Sequence, residues 1–400
     1  MAWFPSPASW AGGDEAMSSG AAVVMVSASF HPYVGGAEKQ ALELSAALLR
    51  RGVKVRVLTR RLPGLPAREE IRGVPVQRLW CAGSGFLNSL TFMAALGVWL
   101  WARRADYVAV HVHLAGSPAL PAALAGKLLG KKVFIKLGGG RGIGELAVSA
   151  RTIGGRIKLG LLSWLGPHFV AVTRELAEEC AEYLGSVSVR VEPNGVDVSR
   201  YHPVTAEEKL ALRRKLGWPE GLCFLYVGRL SAEKQLDFFL RAWLADAPAS
   251  AQPSFVAIVG QGSQGDKLQA LAASSPLAGR VLALPFLANV SEAYAAADVF
   301  ILPSLSEGLS NSLLEAMASG LGILGSRVGG TAEAVTEEET GLLFAPGDEA
   351  GLRAQMQRYL REPELAGRLG AAARQRAVRD YSLERVAGSY EKMYTQGAKG

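Results

Sequence analysis

Short β-branched apolar runs alternate with stretches of helical spacing along most of this chain. AAVVMVSASF near the start has the look of a buried parallel strand. GGAEKQALELSAALLRRG follows with apolar residues at helical intervals and Gly52 as a stop. VKVRVLTR, PVQRLW, DYVAVHVHL, KKVFIKLGG, GPHFVAVT and VSVRVEPNGVD read as further strands. Between them, FLNSLTFMAALGVWLWARR, PALPAALAGKLLG and RELAEECAEYLG read as helices. Strand, helix, strand repeated in this way predicts a doubly wound parallel sheet.

The pattern then starts again. LCFLYVGRL and SFVAIVGQG are strands ending in glycine turns, with SAEKQLDFFLRAWLADA as a helix between them. VLALPF, ADVFILPS, GILGSR and GLLF are short strands, and residues 348–396 read as helical. Two α/β domains follow, with the boundary near Val196–Pro203. In such sheets a ligand sits in the crevice at the carboxyl ends of the strands. The glycine-rich turns fall at those ends.

Four hundred residues, 49% apolar and 20% charged, suit two folded domains. Cys81, Cys180 and Cys223 lie far apart without metal spacing, which fits a reducing compartment. Residues 1–200 hold 23 Lys+Arg and 14 Asp+Glu, whereas residues 201–400 hold 20 and 22. The basic surplus therefore belongs to the first half and suits an anionic partner. No basic run interleaved with aromatics points to nucleic acid. Residues 1–20 lack the basic start and apolar run of a secretory signal and read as a mobile tail, with Met17 an alternative start. The apolar run in Phe86–Arg104 is broken by Asn88, Ser89 and Thr91. At roughly 16 residues it falls short of the ~20 that a membrane crossing needs. It reads as a core helix, with contact to an anionic membrane surface through Arg103 and Arg104 as an addition.

Two groups of residues carry candidate chemistry. In VGRLSAEKQLD, Arg229 leaves a strand and Lys234 stands where a helix begins, an arrangement that can hold a diphosphate. A solvated loop would give the same pair. In SEGLSNSLLEAMASG, Ser310 can cap a helix over Asn311–Ser319, ended by Gly320. Glu307 then precedes the helix, and Glu315 lies roughly 6 Å farther along it. Two carboxylates so placed can accept hydrogen bonds from hydroxyls at two points of a sugar nucleotide. Spacing alone equally allows two exposed glutamates at a helix start.

SEGLSNSLLEAMASG resembles the E-x7-E motif of the retaining GT-B glycosyltransferases of the large family-four group. HPYVGGAEKQALELSAALLRRG, DYVAVHVH, VEPNGVD, VGRLSAEKQLD, VGQG, SEAYAAADVFILPS and GGTAEAV match other parts of that family's pattern, in order. The resemblance spans about residues 22–395. It implies two Rossmann-like domains facing a cleft: residues 21–200 on the acceptor side and 201–380 binding the nucleotide sugar. A helix over about 381–396 would return to the first domain. It also implies roles. Arg229 and Lys234 would hold the donor diphosphate, Glu315 the ribose hydroxyls, and Glu307 the hydroxyls of the transferred sugar. Backbone amides over Gly308, Leu309, Ser310, Asn311, Ser312 and Leu313 would help place sugar and phosphate. Gly35 and Gly36 would bring the first loop to the phosphate, and His113 would stand near the reacting sugar. His111 points to the same strand face, so the choice between the two histidines rests on the resemblance. Asn194 and Gly195 would form the hinge-side turn, and Phe286 and Leu287 would border the base.

The chain departs from the family in two places, with Gln235 where glycine usually follows the lysine and Gly322 where proline is common. No D-x-D motif sits at a strand end, so Arg229 and Lys234 are expected to stabilise the leaving diphosphate, with no metal or other cofactor. The expected activity is a nucleotide-sugar-dependent hexosyl transfer with retention. Its setting would be cell-surface glycan, polysaccharide or lipopolysaccharide synthesis, on a glycan or lipid-linked acceptor at the cytoplasmic face of a membrane. A nucleotide-sugar epimerase and a catalytically silent glycan-binding protein are the alternatives. A nicotinamide oxidoreductase is disfavoured because no G-x-G-x-x-G follows the first strand.

Overall fold

The computed structural model describes residues 22–395 apart from positions 34, 248–249, 251, 285–286 and 288. The tail expected over residues 1–20, and Phe286, lie outside the described residues.

The first domain is built on β1 (Ala22–Ser27), β2 (Val55–Arg60), β3 (Arg68–Ile71), β4 (Val74–Leu79), β5 (Tyr107–His113), β6 (Lys132–Leu137), β7 (His168–Ala171) and β8 (Val189–Val191). They lie in the order β3-β4-β2-β1-β5-β6-β7-β8. Every pairing is parallel except β3 with β4. The sequence pattern missed β3. Its REEI is polar because it sits at the edge and stays largely solvated. A two-residue turn at Arg72 and Gly73, both with positive φ, reverses the chain into β4.

The second domain holds β9 (Leu222–Val227), β10 (Ser254–Val259), β11 (Val281–Leu284), β12 (Val299–Leu302), β13 (Gly322–Ser326) and β14 (Leu342–Phe344). The order β11-β10-β9-β12-β13-β14 is parallel throughout. In both sheets the order changes direction between sequence-distant strands, which opens a crevice at the carboxyl ends.

The Gly36–Arg50 and Leu383–Thr395 helices pack together on one face of the first sheet. The Gly85–Ala102, Ala119–Leu129 and Ile153–Leu165 helices lie side by side on the other face. The chain passes to the second domain after β8 and comes back beside the same point. There Val196 N–H donates to Tyr381 O (2.8 Å), and Leu383 N–H donates to Val196 O (2.9 Å). Among the described residues one helix, Gly85–Ala102, is long and apolar enough to cross a membrane by length and composition. Here Phe92, Leu96, Trp99 and Leu100 bury one side of it in the core.

Candidate active site in the interdomain cleft

The glutamate-bearing turn follows β12. Ser310 caps the Asn311–Ala318 helix by accepting from Leu313 N–H, and Gly320 closes it with φ of 75°. Glu307 is 9% exposed and accepts from Lys234 Nζ at 2.6 Å and Ser304 Oγ at 2.7 Å. Glycine is required at 308, because a Cβ there would lie 2.3 Å from the carbonyl oxygen of Gly138 in the opposite domain. The loops of the two domains therefore meet at this turn.

Glu315 is buried and accepts from Lys39 Nζ, which comes across the cleft from the Gly36–Arg50 helix. The same ammonium donates to Tyr201 Oη at 3.3 Å. Burial is the largest influence on Lys39 and lowers its pKa. The Glu315 carboxylate, with Tyr201 and Glu43, outweighs it and leaves a net rise. Burial, and then the Glu315 charge, push the Tyr201 hydroxyl up to about 12 and Tyr294 upward as well.

Further contacts close the cleft on this side. Asn311 Nδ2 donates to Gly36 O at 2.9 Å. Asn194 Nδ2 donates to Leu309 O (2.8 Å) and Asn311 Oδ1 (3.1 Å). Gln40 holds both backbone groups of Gly195. Gly35 is the N-cap of the helix that carries Lys39.

Arg229 stands at the end of β9 with its side chain 75% exposed, 3.4 Å from Glu233. Lys234 is not in an α-helix, contrary to the sequence pattern. It ends a single 3-10 turn, Ala232–Lys234, and the α-helix begins at Leu236. The cause is Gln235, whose φ of 52° and ψ of 34° put it in the left-handed region between the two. This is the position where the family pattern carries glycine. The second departure also has a structural correlate. Gly322 N–H donates to Asp298 O at 3.0 Å, a bond that proline could not make. A Cβ there would also lie 2.9 Å from the Tyr359 ring.

The structure therefore gathers Gly35, Gly36, Asn194, Lys234, Glu307 to Asn311 and Glu315 at one cleft, with Arg229 on its rim and Ser312 and Leu313 in the adjoining helical turn. His113 is buried in the first domain. It ends β5, in register with Ser27 on β1 and Lys136 on β6, and is 3% exposed. Its ring stacks on His111 at 4.5 Å, and its Nε2 has no hydrogen-bond partner. Burial, aided by the Lys136 charge, lowers its pKa to about 3, so the ring is neutral near pH 7. Leu287 is half-buried against the second domain's core. Beside Arg229, a cavity of about 400 Å³ lies between Leu230, Gly260–Gly262, the Gly265–Ala273 helix and β11.

Sequence reasoning missed Lys39. The signal was available, since Lys39 lies one helical turn after Gly36 and faces the cleft with it. It also missed the Gly138–Gly140 loop, a run of three glycines after a strand.

Comparison with known proteins agrees with this architecture. Residues 34–200 match the Glycosyltransferase Family 4 domain, and residues 208–376 match Glycosyl transferases group 1. The chain is 30% identical to the 2-deoxystreptamine N-acetyl-D-glucosaminyltransferase of Streptomyces fradiae over 396 residues, covering 88% of this chain and 91% of that protein. It is 31% identical to sulfoquinovosyl transferase SQD2 of Arabidopsis thaliana over 192 residues, 47% of this chain and 36% of that protein. Among solved structures, Anabaena Alr3699/HepE in complex with UDP-glucose superposes with a TM-score of 0.75 at 18% identity, covering 93% and 98% of the two chains. With both halves matched and the two parallel sheets facing a cleft, this chain belongs to the family-four, group 1 glycosyltransferases of the GT-B fold.

Proposed function

We propose that the protein transfers a hexosyl group from a nucleotide sugar to an acceptor hydroxyl with retention of anomeric configuration. The observation that carries this reading is the pair of buried glutamates with seven residues between them, each held by a lysine at the cleft. The UDP-glucose held by the Anabaena neighbour supports a nucleotide sugar as donor.

Arg229 and Lys234 bind the donor diphosphate and stabilise the charge it gains on leaving. Glu315 takes the ribose hydroxyls and Glu307 those of the sugar. The N–H groups from Gly308 to Ser312, at the start of the Asn311–Ala318 helix, serve the sugar and phosphate, with Leu313 N–H engaged by the Ser310 cap. Gly35 and Gly36 complete the phosphate side, and neutral His113 lies behind the reacting sugar. The acceptor oxygen attacks the anomeric carbon from the face the diphosphate leaves. The carbon–oxygen bond to the diphosphate breaks, and the acceptor proton passes to a phosphate oxygen. Positioning and charge stabilisation supply most of the rate in this scheme, with no divalent ion required. The basic first half supports an acceptor carried at an anionic membrane on its cytoplasmic face, in the synthesis of cell-surface or lipid-linked saccharides.

A panel of UDP-, GDP- and ADP-sugars tests the site. One donor class is expected to hydrolyse slowly without acceptor, with the released sugar keeping its anomeric configuration. Glu307→Ala is expected to lower that turnover about 100- to 1,000-fold. Unchanged turnover in the variant would remove Glu307 from the site, and an inverted product would rule out the front-face route.

A further inference from the structure

The helical layer on the outer face of the first domain is unusual in what it turns to solvent. On the Gly85–Ala102 helix the outward stripe is Leu87, Leu90, Ala94, Val98 and Trp101, all exposed and all apolar. On the Ile153–Leu165 helix the outward stripe includes Ile153 (79% exposed), Ile157, Leu161 and Trp164 (66%). The Ala119–Leu129 helix lies between them and adds Leu124 and Leu128. Lys127 ties this middle helix to its neighbour, with Nζ 4.3 Å from the centre of the Trp164 ring. A soluble helix ordinarily turns polar residues outward. Here adjacent helices do the reverse, and the result is one broad apolar face.

Charge surrounds that face. Residues 85–165 contain ten Lys+Arg and two Asp+Glu, and of these cations Lys136 alone is buried in the interior. Arg103 and Arg104 follow one helix, and Arg151 and Arg156 flank the start of another. An apolar surface bearing tryptophans and edged by cations is complementary to an anionic bilayer, where apolar groups enter the headgroup boundary and cations meet phosphates. A second copy of this chain is disfavoured as the occupant, because two faces so strongly basic would repel each other.

We propose that this three-helix face is the protein's docking surface for an anionic phospholipid bilayer, with the helices lying flat on it rather than crossing it. The face gains a direction from the topology. The Gly85–Ala102 helix follows β4, so its first turn, with Phe86 83% exposed, lies at the cleft end of the sheet. Docking in this pose presents the mouth of the cleft to molecules held in the bilayer. That last step rests on the proposed transfer reaction, whereas the docking face itself does not.

The test uses the full chain and vesicles of phosphatidylglycerol mixed with phosphatidylcholine, or of phosphatidylcholine alone, in co-sedimentation at low salt. Binding is expected with the anionic vesicles and is expected to weaken as salt is raised. Trp101→Ser with Trp164→Ser, and separately Arg104→Glu with Arg151→Glu, are each expected to weaken it about tenfold or more. Melting temperature and donor hydrolysis in solution serve as controls and are expected to stay unchanged. Vesicle binding that responds to these changes in a protein without donor hydrolysis would uphold the docking face and count against the transfer reading. Binding retained by both variants would overturn the proposal. So would absence of vesicle binding, or a self-association that the tryptophan substitutions abolish in its place.

Discussion

Lysines withdrawn from solvent, fully or in part, occur in two regions of this molecule on opposite terms. In the cleft, Lys39 and Lys234 each hold a glutamate. In the interior of the first domain, Lys136 is 4% exposed, its Nζ has no hydrogen-bond partner, and it lies 5.6 Å from the centre of the Tyr390 ring. The nearby Glu192 is already taken by Arg385 and Ser389. A paired charge tolerates burial because its partner replaces part of the lost hydration, whereas an unpaired one shifts its pKa instead. The cleft thus keeps its charges balanced and available to a polar ligand. The interior cluster of His111, His113 and Lys136 is driven towards neutrality. The two regions should therefore answer lysine removal with opposite signs.

The largest response is expected at Lys136. Burial, only partly offset by Glu192, lowers its pKa to about 8 from 10.5. The folded state therefore releases its proton before the unfolded state does. Between about pH 8 and 10.5 the unfolded chain binds more protons, so this penalty is full below pH 8 and fades as pH rises. Lys136→Met is expected to stabilise the protein by about 3 kcal/mol at neutral pH, with the gain shrinking towards pH 10.5. Denaturant melts of both proteins across that range measure it. A destabilised variant, or a gap that is flat with pH, would mean that Lys136 is paired after all.

Lys39 should respond in the other direction. Removing one member of a buried pair strands the other, at a cost of about 3–5 kcal/mol for full burial. The Lys39 side chain is 23% exposed, so about 2 kcal/mol is the expected loss for Lys39→Met. Adding Glu315→Gln should recover part of that loss, and a double-mutant cycle gives the coupling. Additive losses would show that the two side chains do not depend on each other. The comparison between cleft and interior would then lose one of its terms.

What the sequence disclosed follows the same division. Repeating strand and helix patterns announced two parallel sheets because buried parallel strands must be apolar on both faces. The helix after Glu307 was legible because its cap and its closing glycine are local features, Ser310 and Gly320. Long-range pairing left less trace. Nothing near Lys39 or Glu315 in sequence says that they meet, since 276 positions separate them. His111 and His113 could be assigned to one strand face. That His111 is sealed beneath Tyr390 and Tyr394 depends on a helix from the far end of the chain. Strand β3 escaped because an edge strand has no need of an apolar pattern.

The smallest expected effect tests a place where local and global preferences conflict. Gln235 follows Lys234 with φ of 52°, a conformation that costs a non-glycine residue about 1–2 kcal/mol. Its side chain offsets part of this by donating to Ala232 O at 3.1 Å. Glycine would adopt the same turn without the steric penalty but would lose that bond and gain freedom in the unfolded chain. The net expectation for Gln235→Gly is a stabilisation of roughly 0.5–1 kcal/mol, read as a small rise in melting temperature. Because the Ala232–Lys234 turn is kept, the Lys234–Glu307 pair should be kept with it, and donor affinity should hold within about twofold. A large gain in donor affinity would mean that Gln235, and not the lysine–glutamate pairing, sets how closely the backbone approaches the diphosphate.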